Sequence, residues 1–270
     1  PACLPACLPT YLPTYLPACL QSSRAMNLLQ DEQDWATAID YFKKALNLRR
    51  NNAMYLYHLA YCLQEIAPTA GTGEQKCNFE ALEYYQRVLS ITPNHHEAWY
   101  NLGYVQEELE KFDDAIRSFR KALSLRPNDK DALINLGNCY MRLDKFEKSV
   151  FTYNQAIELE PTCVMSHYNL ASAHHSAAAQ QVGGDPDLAS KHHKLAKAEF
   201  QKAIDLNPDY ADAYFNLGIC YQDENLDEQA RKMYEKAAAL QPDMLEVRLA
   251  CLPACLPVCL SLTKLFLQNF

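Results

Sequence analysis

Residues 96–129 have the sequence HEAWYNLGYVQEELEKFDDAIRSFRKALSLRPND, and residues 130–163 repeat its pattern after a period of 34 residues. Equivalent positions carry identical or similar residues: Leu102 and Leu136, Gly103 and Gly137, Phe119 and Tyr153, Ala122 and Ala156, Pro127 and Pro161. Within each copy the apolar residues recur at helical spacing, which predicts α-helices. A period of this length is typical of an array in which stacked repeats bury the apolar faces that one repeat alone cannot cover.

The same frame recurs over residues 211–244, with these residues in register: Leu217, Gly218, Tyr221, Ala230, Tyr234, Ala237 and Pro242. The pattern resembles the tetratricopeptide repeat, a unit of two antiparallel helices with the signature W-x2-L-G-x2-Y…A-x3-F…P. We count six repeats over residues 19–244: 19–52, 53–95, 96–129, 130–163, 164–210 and 211–244. The resemblance implies an all-α fold, a right-handed α-solenoid of about six helix pairs, in which the first helices line a concave groove.

Two repeats are longer than the others. The second and the fifth carry 9 and 13 extra residues between their helices. These insertions contain the stretches APTAGTG and VGGDPD, and their Gly and Pro content predicts loops. The first repeat departs in another way, because Arg50 stands where the closing Pro is expected.

Residues 1–18 and 245–270 differ in composition from the repeats. The unit PACL recurs in the first tail and again at 250–257, and a repeated CCTG tetranucleotide encodes this unit. We interpret both tails as translated microsatellite, with the start of a truncated helix at 245–248. The alternatives are a Pro-rich tether and a C-terminal membrane anchor. Because the chain begins at Pro1 and not at Met, we expect it to be a fragment.

Composition excludes several classes of function. The chain has 33 acidic and 25 basic residues and a net charge of −8, whereas nucleic-acid binding is driven by basic residues. The uncharged run 249–263 is shorter than the roughly 20 residues that a membrane span needs. Outside residues 1–20 and the second tail, five cysteines lack metal-ligand spacing and indicate a reducing compartment: Cys62, Cys77, Cys139, Cys163 and Cys220. We therefore expect no nucleic-acid or membrane partner, and a cytoplasmic location, with a nuclear or ciliary one left open.

Four repeats have asparagine at their sixth position: Asn101, Asn135, Asn169 and Asn216. The tetratricopeptide resemblance places this position on the groove. An amide both donates and accepts hydrogen bonds, so a ladder of amides can hold a peptide backbone without selecting its side chains. The arrangement is similar to the asparagine ladder in the repeat region of O-linked N-acetylglucosamine transferases. The alternative is that asparagine is simply common at this repeat position.

Aromatic and acidic residues occupy other positions assigned to the groove. The aromatic candidates are Tyr57, Tyr61, Tyr100, Tyr104, Tyr168 and Phe215, and the acidic ones are Glu97, Asp131 and Asp212. Together they predict a partner segment that is extended, basic and partly apolar. They disfavour acidic chaperone C-termini, which would need lysine and arginine here. The alternative is that the acids form a solvated face and some tyrosines pack between helices.

Three histidine pairs stand out: His95-His96, His174-His175 and His192-His193. The last two flank the longer insertion and could meet in space. Adjacent histidines on a helix point about 100° apart, so each pair offers one ligand at best, whereas a zinc site needs three or four. We predict no metal site and no cofactor.

The sequence shows no nucleophile motif and no phosphate-binding loop. We therefore predict a non-catalytic scaffold or adaptor that binds a peptide segment of a partner protein. One alternative is the substrate-recruiting region of a larger glycosyltransferase whose catalytic domain is missing. The other is a structural subunit of a multiprotein assembly.

Overall fold

The structure is a computed structural model that describes residues 18–31, 34–69, 71–180 and 185–241. The two tails interpreted as microsatellite lie outside these residues, apart from Ala18, as do Pro242 and the truncated helix predicted at 245–248. Within the described part all regular structure is helical. No helix described there is both long enough and apolar enough to cross a lipid bilayer.

Twelve α-helices follow one another in the described residues. They are α1 (Ala18–Asp31), α2 (Trp35–Leu48), α3 (Ala53–Ile66), α4 (Glu74–Ile91), α5 (His96–Glu108), α6 (Phe112–Leu125), α7 (Lys130–Arg142), α8 (Phe146–Leu159), α9 (Val164–Gln180), α10 (Pro186–Leu206), α11 (Ala211–Asp223) and α12 (Asp227–Leu240). Each odd-numbered helix packs against the helix that follows it. The predicted fold class, an all-α solenoid of about six helix pairs, is confirmed.

The chain divides into two compact units, residues 1–127 and 128–270. In the first, α2 packs on α3 and α4 on α5, so that three helix pairs are joined in sequence. In the second, α8 packs on α9 and α10 on α11 in the same way. Each unit is therefore a stack of helix pairs in which every junction uses the second helix of one pair and the first helix of the next.

Short polar residues fix where several helices begin. The side chains of Asp34, Asn52, Asp129 and Asp185 each accept a hydrogen bond from a backbone N–H in the first turn of the following helix. These caps satisfy donors that a helix leaves without a partner. The turns after α5, α7 and α11 share a left-handed residue, at Glu110, Asp144 and Asn225. That conformation lets the chain reverse between the two helices of a pair.

Glycine lies where the two helices of a pair approach each other most closely. A Cβ atom on Gly103 would lie 2.8 Å from Cε1 of Phe119, and one on Gly218 would lie 2.5 Å from Cε1 of Tyr234. Gly137 faces Tyr153 in the same way. The three aromatic rings are buried, so the helices can keep this distance only where the facing residue has no side chain.

The insertions differ from the predicted loops. Residues 67–69 and 71–73 form two short 3-10 turns, and in the fifth repeat the extra residues lengthen both helices. α9 has 17 residues and α10 has 21, against 13 in α11 and 14 in α12. Pro186 is the first residue of α10, where its missing N–H costs no hydrogen bond. The remaining part of that insertion, 181–184, lies outside the described residues.

Candidate functional site

We call the side of each unit that presents the fifth, sixth and ninth residues of the first helices the first-helix face. In the first unit these residues lie on α3 and α5, and in the second on α7, α9 and α11. All the aromatic and asparagine candidates from the sequence lie at these positions. The three acidic candidates lie at the second position of the same helices.

Tyr57 joins the second and third helix pairs of the first unit. Its hydroxyl accepts a hydrogen bond from Nδ2 of Asn101 at 3.2 Å. Its ring stacks on His95, with 4.9 Å between centroids, and meets the buried Tyr85 edge to face at 5.9 Å. Burial raises the pKa of Tyr57, and the Glu97 carboxylate raises it further. The hydroxyl is thus a neutral, fixed acceptor for the asparagine of the next pair.

Tyr168 makes the same joint between the fifth and sixth pairs in the second unit. Its hydroxyl accepts from Nδ2 of Asn216 at 2.7 Å. Its ring contacts Tyr210, which like His95 directly precedes the next first helix, at 5.1 Å, and Phe200 at 5.7 Å. Both joints follow a repeat that carries an insertion. Two tyrosines and two asparagines that the sequence predicted as ligand contacts are therefore bonded to each other within the protein, Tyr57 to Asn101 and Tyr168 to Asn216.

Asn169 bonds to Asn138 and not to a tyrosine, and the repeat pattern did not predict this contact. The fifth residue of the preceding repeat is Ile134, which has no hydroxyl, and Asn169 instead donates from Nδ2 to Oδ1 of Asn138 at 3.2 Å. The same Oδ1 accepts from the Tyr153 hydroxyl at 2.7 Å. Asn138 stands at the ninth position of its repeat, which links the face to the core aromatic beneath it.

These bonds change what an asparagine ladder could offer. In Asn101, Asn169 and Asn216 one N–H of the amide is used within the protein. An amide has a second N–H and a carbonyl oxygen, and these are what a peptide backbone could use. Asn101 is only 8% exposed, whereas Asn135, Asn169 and Asn216 are half-buried. The ladder stays a prediction.

Tyr104 is the most open aromatic candidate, with 36% of its surface exposed. Burial raises its pKa, and Glu108, Glu65 and Glu107 raise it further. Tyr61 lies at the same position of the preceding pair, packs edge to face on Trp35 at 6.0 Å, and has a pKa raised by burial and by Glu65. We call these five residues the Tyr104 cluster: Tyr61, Tyr104, Glu65, Glu107 and Glu108.

The other predicted side-chain contacts differ in exposure. Phe215 is 4% exposed and packs against Tyr234, and half-buried Tyr100 packs on Phe119 at 5.9 Å. Asp131 is exposed and Asp212 half-buried. The structure thus brings Tyr57, Tyr61 and Tyr104 to one face but places Phe215 in the core.

Glu97 forms an ion pair within the protein, so its charge is less available to a ligand. Its carboxylate pairs with the Arg126 guanidinium at 2.5 Å. Partial burial acts to raise its pKa, but a backbone hydrogen bond and Arg126 outweigh this effect, so the pKa of Glu97 is lowered. The negative charge is therefore retained but is already compensated by a cation from α6's C-terminal end.

The two histidine pairs that flank the longer insertion do meet, across α9 and α10. Nδ1 of His174 lies 2.9 Å from Nδ1 of His192, and the rings of His175 and His193 are 6.0 Å apart. Nε2 of His175 lies 2.8 Å from Oδ2 of Asp223. Among the residues that the structure describes, no group of three or more His, Cys, Asp or Glu side chains could hold a metal ion.

Three protein-family models match stretches of the chain. A model described as "Tetratricopeptide repeat" matches residues 96–129 and 131–163, a second of the same description matches 211–244, and one described as "TPR repeat" matches 194–225. No curated protein matches the chain in sequence. Three of the matched stretches lie in the third, fourth and sixth repeats counted from the sequence, and 194–225 spans the end of the fifth repeat and the start of the sixth.

Several solved structures share the fold. YrrB, described as a TPR protein with an unusual peptide-binding site, is 23% identical with a TM-score of 0.55, over 78% of this chain and 98% of its own. MamA from Desulfovibrio magneticus RS-1 is 22% identical with a TM-score of 0.58, over 72% of this chain and 96% of its own. Another MamA structure is 23% identical with a TM-score of 0.54, over 65% and 94%.

Identities of this size show the fold alone. They do not bear out the resemblance to the repeat region of O-linked N-acetylglucosamine transferases. Together with the repeat matches and the six helix pairs, they show the nature of the array: residues 96–129, 131–163 and 194–244 match tetratricopeptide-repeat families, and the helix pairs share the fold of YrrB and MamA.

Proposed function

We propose that this protein is a non-catalytic scaffold whose first-helix face binds an extended segment of a partner protein. The observation that carries the proposal is the Tyr104 cluster, in which exposed Tyr104 has three carboxylates near enough to raise its pKa and shares one of them, Glu65, with Tyr61. YrrB, which shares the fold, is described as having a peptide-binding site, and this supports a peptide ligand here.

The chemistry of the cluster favours a basic and partly apolar segment. Tyrosine presents a large surface and loses little conformational entropy on binding. A lysine or arginine side chain can lie over such a ring and interact with its π face. Carboxylates nearby would pair with the same cation and repel an acidic segment. The raised pKa of Tyr104 keeps the phenol neutral while the cluster carries its negative charge.

The asparagines would serve the backbone of the segment. In the second unit Asn169 and Asn216 keep one amide N–H and the carbonyl oxygen beyond the bonds already described. A peptide backbone offers a matching donor and acceptor at each residue. The bonds to Asn138 and Tyr168 hold these amides in place before a ligand arrives, which reduces the entropy lost on binding.

The test compares three variants of the full chain by fluorescence anisotropy. The probes are short labelled peptides of alternating lysine and leucine, with a glutamate–leucine peptide for comparison. We expect Tyr104→Ala and Glu108→Gln each to weaken binding of the lysine peptide by about tenfold. The control is Phe151→Ala, because Phe151 is 65% exposed but lies on α8, a second helix.

Circular dichroism of each variant is the control for correct folding. The proposal is wrong if the lysine peptide binds both cluster variants as tightly as the parent. If Phe151→Ala alone weakens binding, the second helices carry the contact, as expected for a structural subunit of an assembly.

A further inference from the structure

The histidines of the longer helix pair form a contact with unusual chemistry. His174 on α9 is 7% exposed, and its Nδ1 lies 2.9 Å from Nδ1 of His192 on α10. The two rings are 5.1 Å apart between centroids. Next to them, Nδ1 of His193 is buried and has no hydrogen-bond partner among the described residues. His192 lies in the first turns of α10, which α12 lacks, and His174 lies before the last turn of α9.

A hydrogen bond between two imidazole nitrogens needs one donor and one acceptor. Two neutral rings can supply these, and so can one neutral and one charged ring. If both rings are protonated, every ring nitrogen carries a hydrogen and the bond cannot form. The two positive charges then repel each other in a site with little access to water.

The charged groups around His174 come from three helices. α10 contributes His192, Glu199 and Lys191; of these Glu199 favours the protonated ring, and the other two oppose it. α9 contributes the adjacent His175, and α11 contributes Asp223, which faces His175. Burial has the largest effect on the pKa of His174 and His192 the second largest. Both lower this pKa, which falls to about 4. The balance therefore favours a neutral ring in the closed state.

We propose that His174 and His192 form a proton-sensitive latch that holds the C-terminal part of α9 and the N-terminal part of α10 together and releases them on acidification. Opening exposes His174 to water, where the pKa of histidine is 6.5. The open state therefore binds a proton that the closed state excludes. The stabilisation is present above about pH 6.5 and is lost as the pH falls towards 4.

The latch has a consequence for ligand binding that rests on the proposed function. α9 also carries Tyr168 and Asn169, which lie on the first-helix face. Release of α9 from α10 would loosen both, so peptide binding by the second unit should weaken at acidic pH. This step is measured separately, by the anisotropy assay at pH 7 and pH 5.

Hydrogen exchange with mass spectrometry tests the latch in the full chain. Exchange is followed in residues 174–180 and 186–196 and corrected for the pH dependence of the intrinsic rate. We expect local opening to increase by up to tenfold for each pH unit between about 6 and 4.5. His174→Phe should abolish this dependence. The matched control, His58→Phe, removes a half-buried histidine of the first unit and should leave it unchanged.

A second measurement covers the case in which His174→Phe does not fold. The ring nitrogens of the parent, labelled with nitrogen-15, report the protonation of His174 directly by nuclear magnetic resonance. The latch is refuted if His174 titrates near pH 6.5 in the folded protein, or if opening of these segments has the same pH dependence in the parent and in His174→Phe. If the exchange result holds and the peptide assay does not change, the latch stands and the proposed function is wrong for this unit.

Discussion

The size of the eighth residue of a first helix is limited by the aromatic residue that it faces on the second helix of the same pair. Where that residue is Gly103, Gly137 or Gly218, a Cβ would press into a buried ring. Ala60 and Ala171 occupy the same position in the pairs with insertions and are fully buried. One methyl group is thus accepted at this position in two pairs.

We expect Gly137→Leu to destabilise the second unit by about 3 kcal/mol, the upper end of the range for overpacking. Gly137→Ala should cost less, because it adds one carbon and removes the entropic cost of glycine in a helix. Urea unfolding followed by circular dichroism measures both. If Gly137→Leu unfolds at the same urea concentration as the parent, then Tyr153 does not pack on Gly137 and the repeat register is wrong.

At the scale of the helix, the tyrosine–asparagine joint explains how one pair fixes the next. The Tyr168–Asn216 bond is the shorter of the two joints, at 2.7 Å. We expect Tyr168→Phe and Asn216→Ala each to cost about 1 kcal/mol, and the double variant to cost about 1 kcal/mol less than the sum. The same cycle on Tyr57 and Asn101 provides the comparison in the first unit. Strict additivity would show that the hydroxyl and the amide do not interact.

A half-buried acid, Glu199, joins α9 to α10. The Glu199 carboxylate lies 2.6 Å from Nδ1 of His167 and 2.7 Å from Nζ of Lys202. Nε2 of His167 faces the Pro161 carbonyl at 2.9 Å. Burial acts to raise the pKa of Glu199, but Lys202 and His167 outweigh it, and the pKa is lowered.

The lowered pKa gives a direction to the pH dependence of stability. The contribution of Glu199 is present above its ordinary pKa of 4.5 and is lost as the pH falls through the lower value of the folded state. Glu199→Gln should destabilise the protein at pH 7 and reduce the loss of stability below pH 4.5. Urea midpoints at a series of pH values measure this, with Glu147→Gln, an exposed acid on α8, as control. Parallel curves for parent and Glu199→Gln would contradict it.

The sequence determines helices more surely than it determines contacts between them. The spacing from Gly137 to Tyr153 is local to one repeat, so its period predicts the close approach. The role of Asn138 depends on which side chain the next helix turns towards it, and no spacing within one repeat contains this information. The stretch VGGDPD suggested a loop, but Asp185 and Pro186 are also favourable residues for starting a helix, and α10 begins there.

At the scale of the whole molecule, both units repeat one design. A repeat with an insertion is followed by a tyrosine joint, and the first-helix face near that joint carries acids, Glu97 in the first unit and Asp212 in the second. The net charge of −8 has the same sign as the Tyr104 cluster. A field of this sign attracts a basic segment before contact and repels an acidic one.

The salt dependence of binding should therefore distinguish long-range electrostatic attraction of the peptide from its direct contacts with the protein. Raising sodium chloride from about 0.05 M to about 0.5 M shortens the screening length from roughly 14 Å to about 4 Å. We expect the lysine–leucine peptide to bind about tenfold more weakly at the higher concentration, mainly through slower association. Stopped-flow anisotropy measures the association and dissociation rates separately. An affinity that does not change with salt would mean that apolar contacts with Tyr61 and Tyr104 dominate and that the acids are a solvated surface.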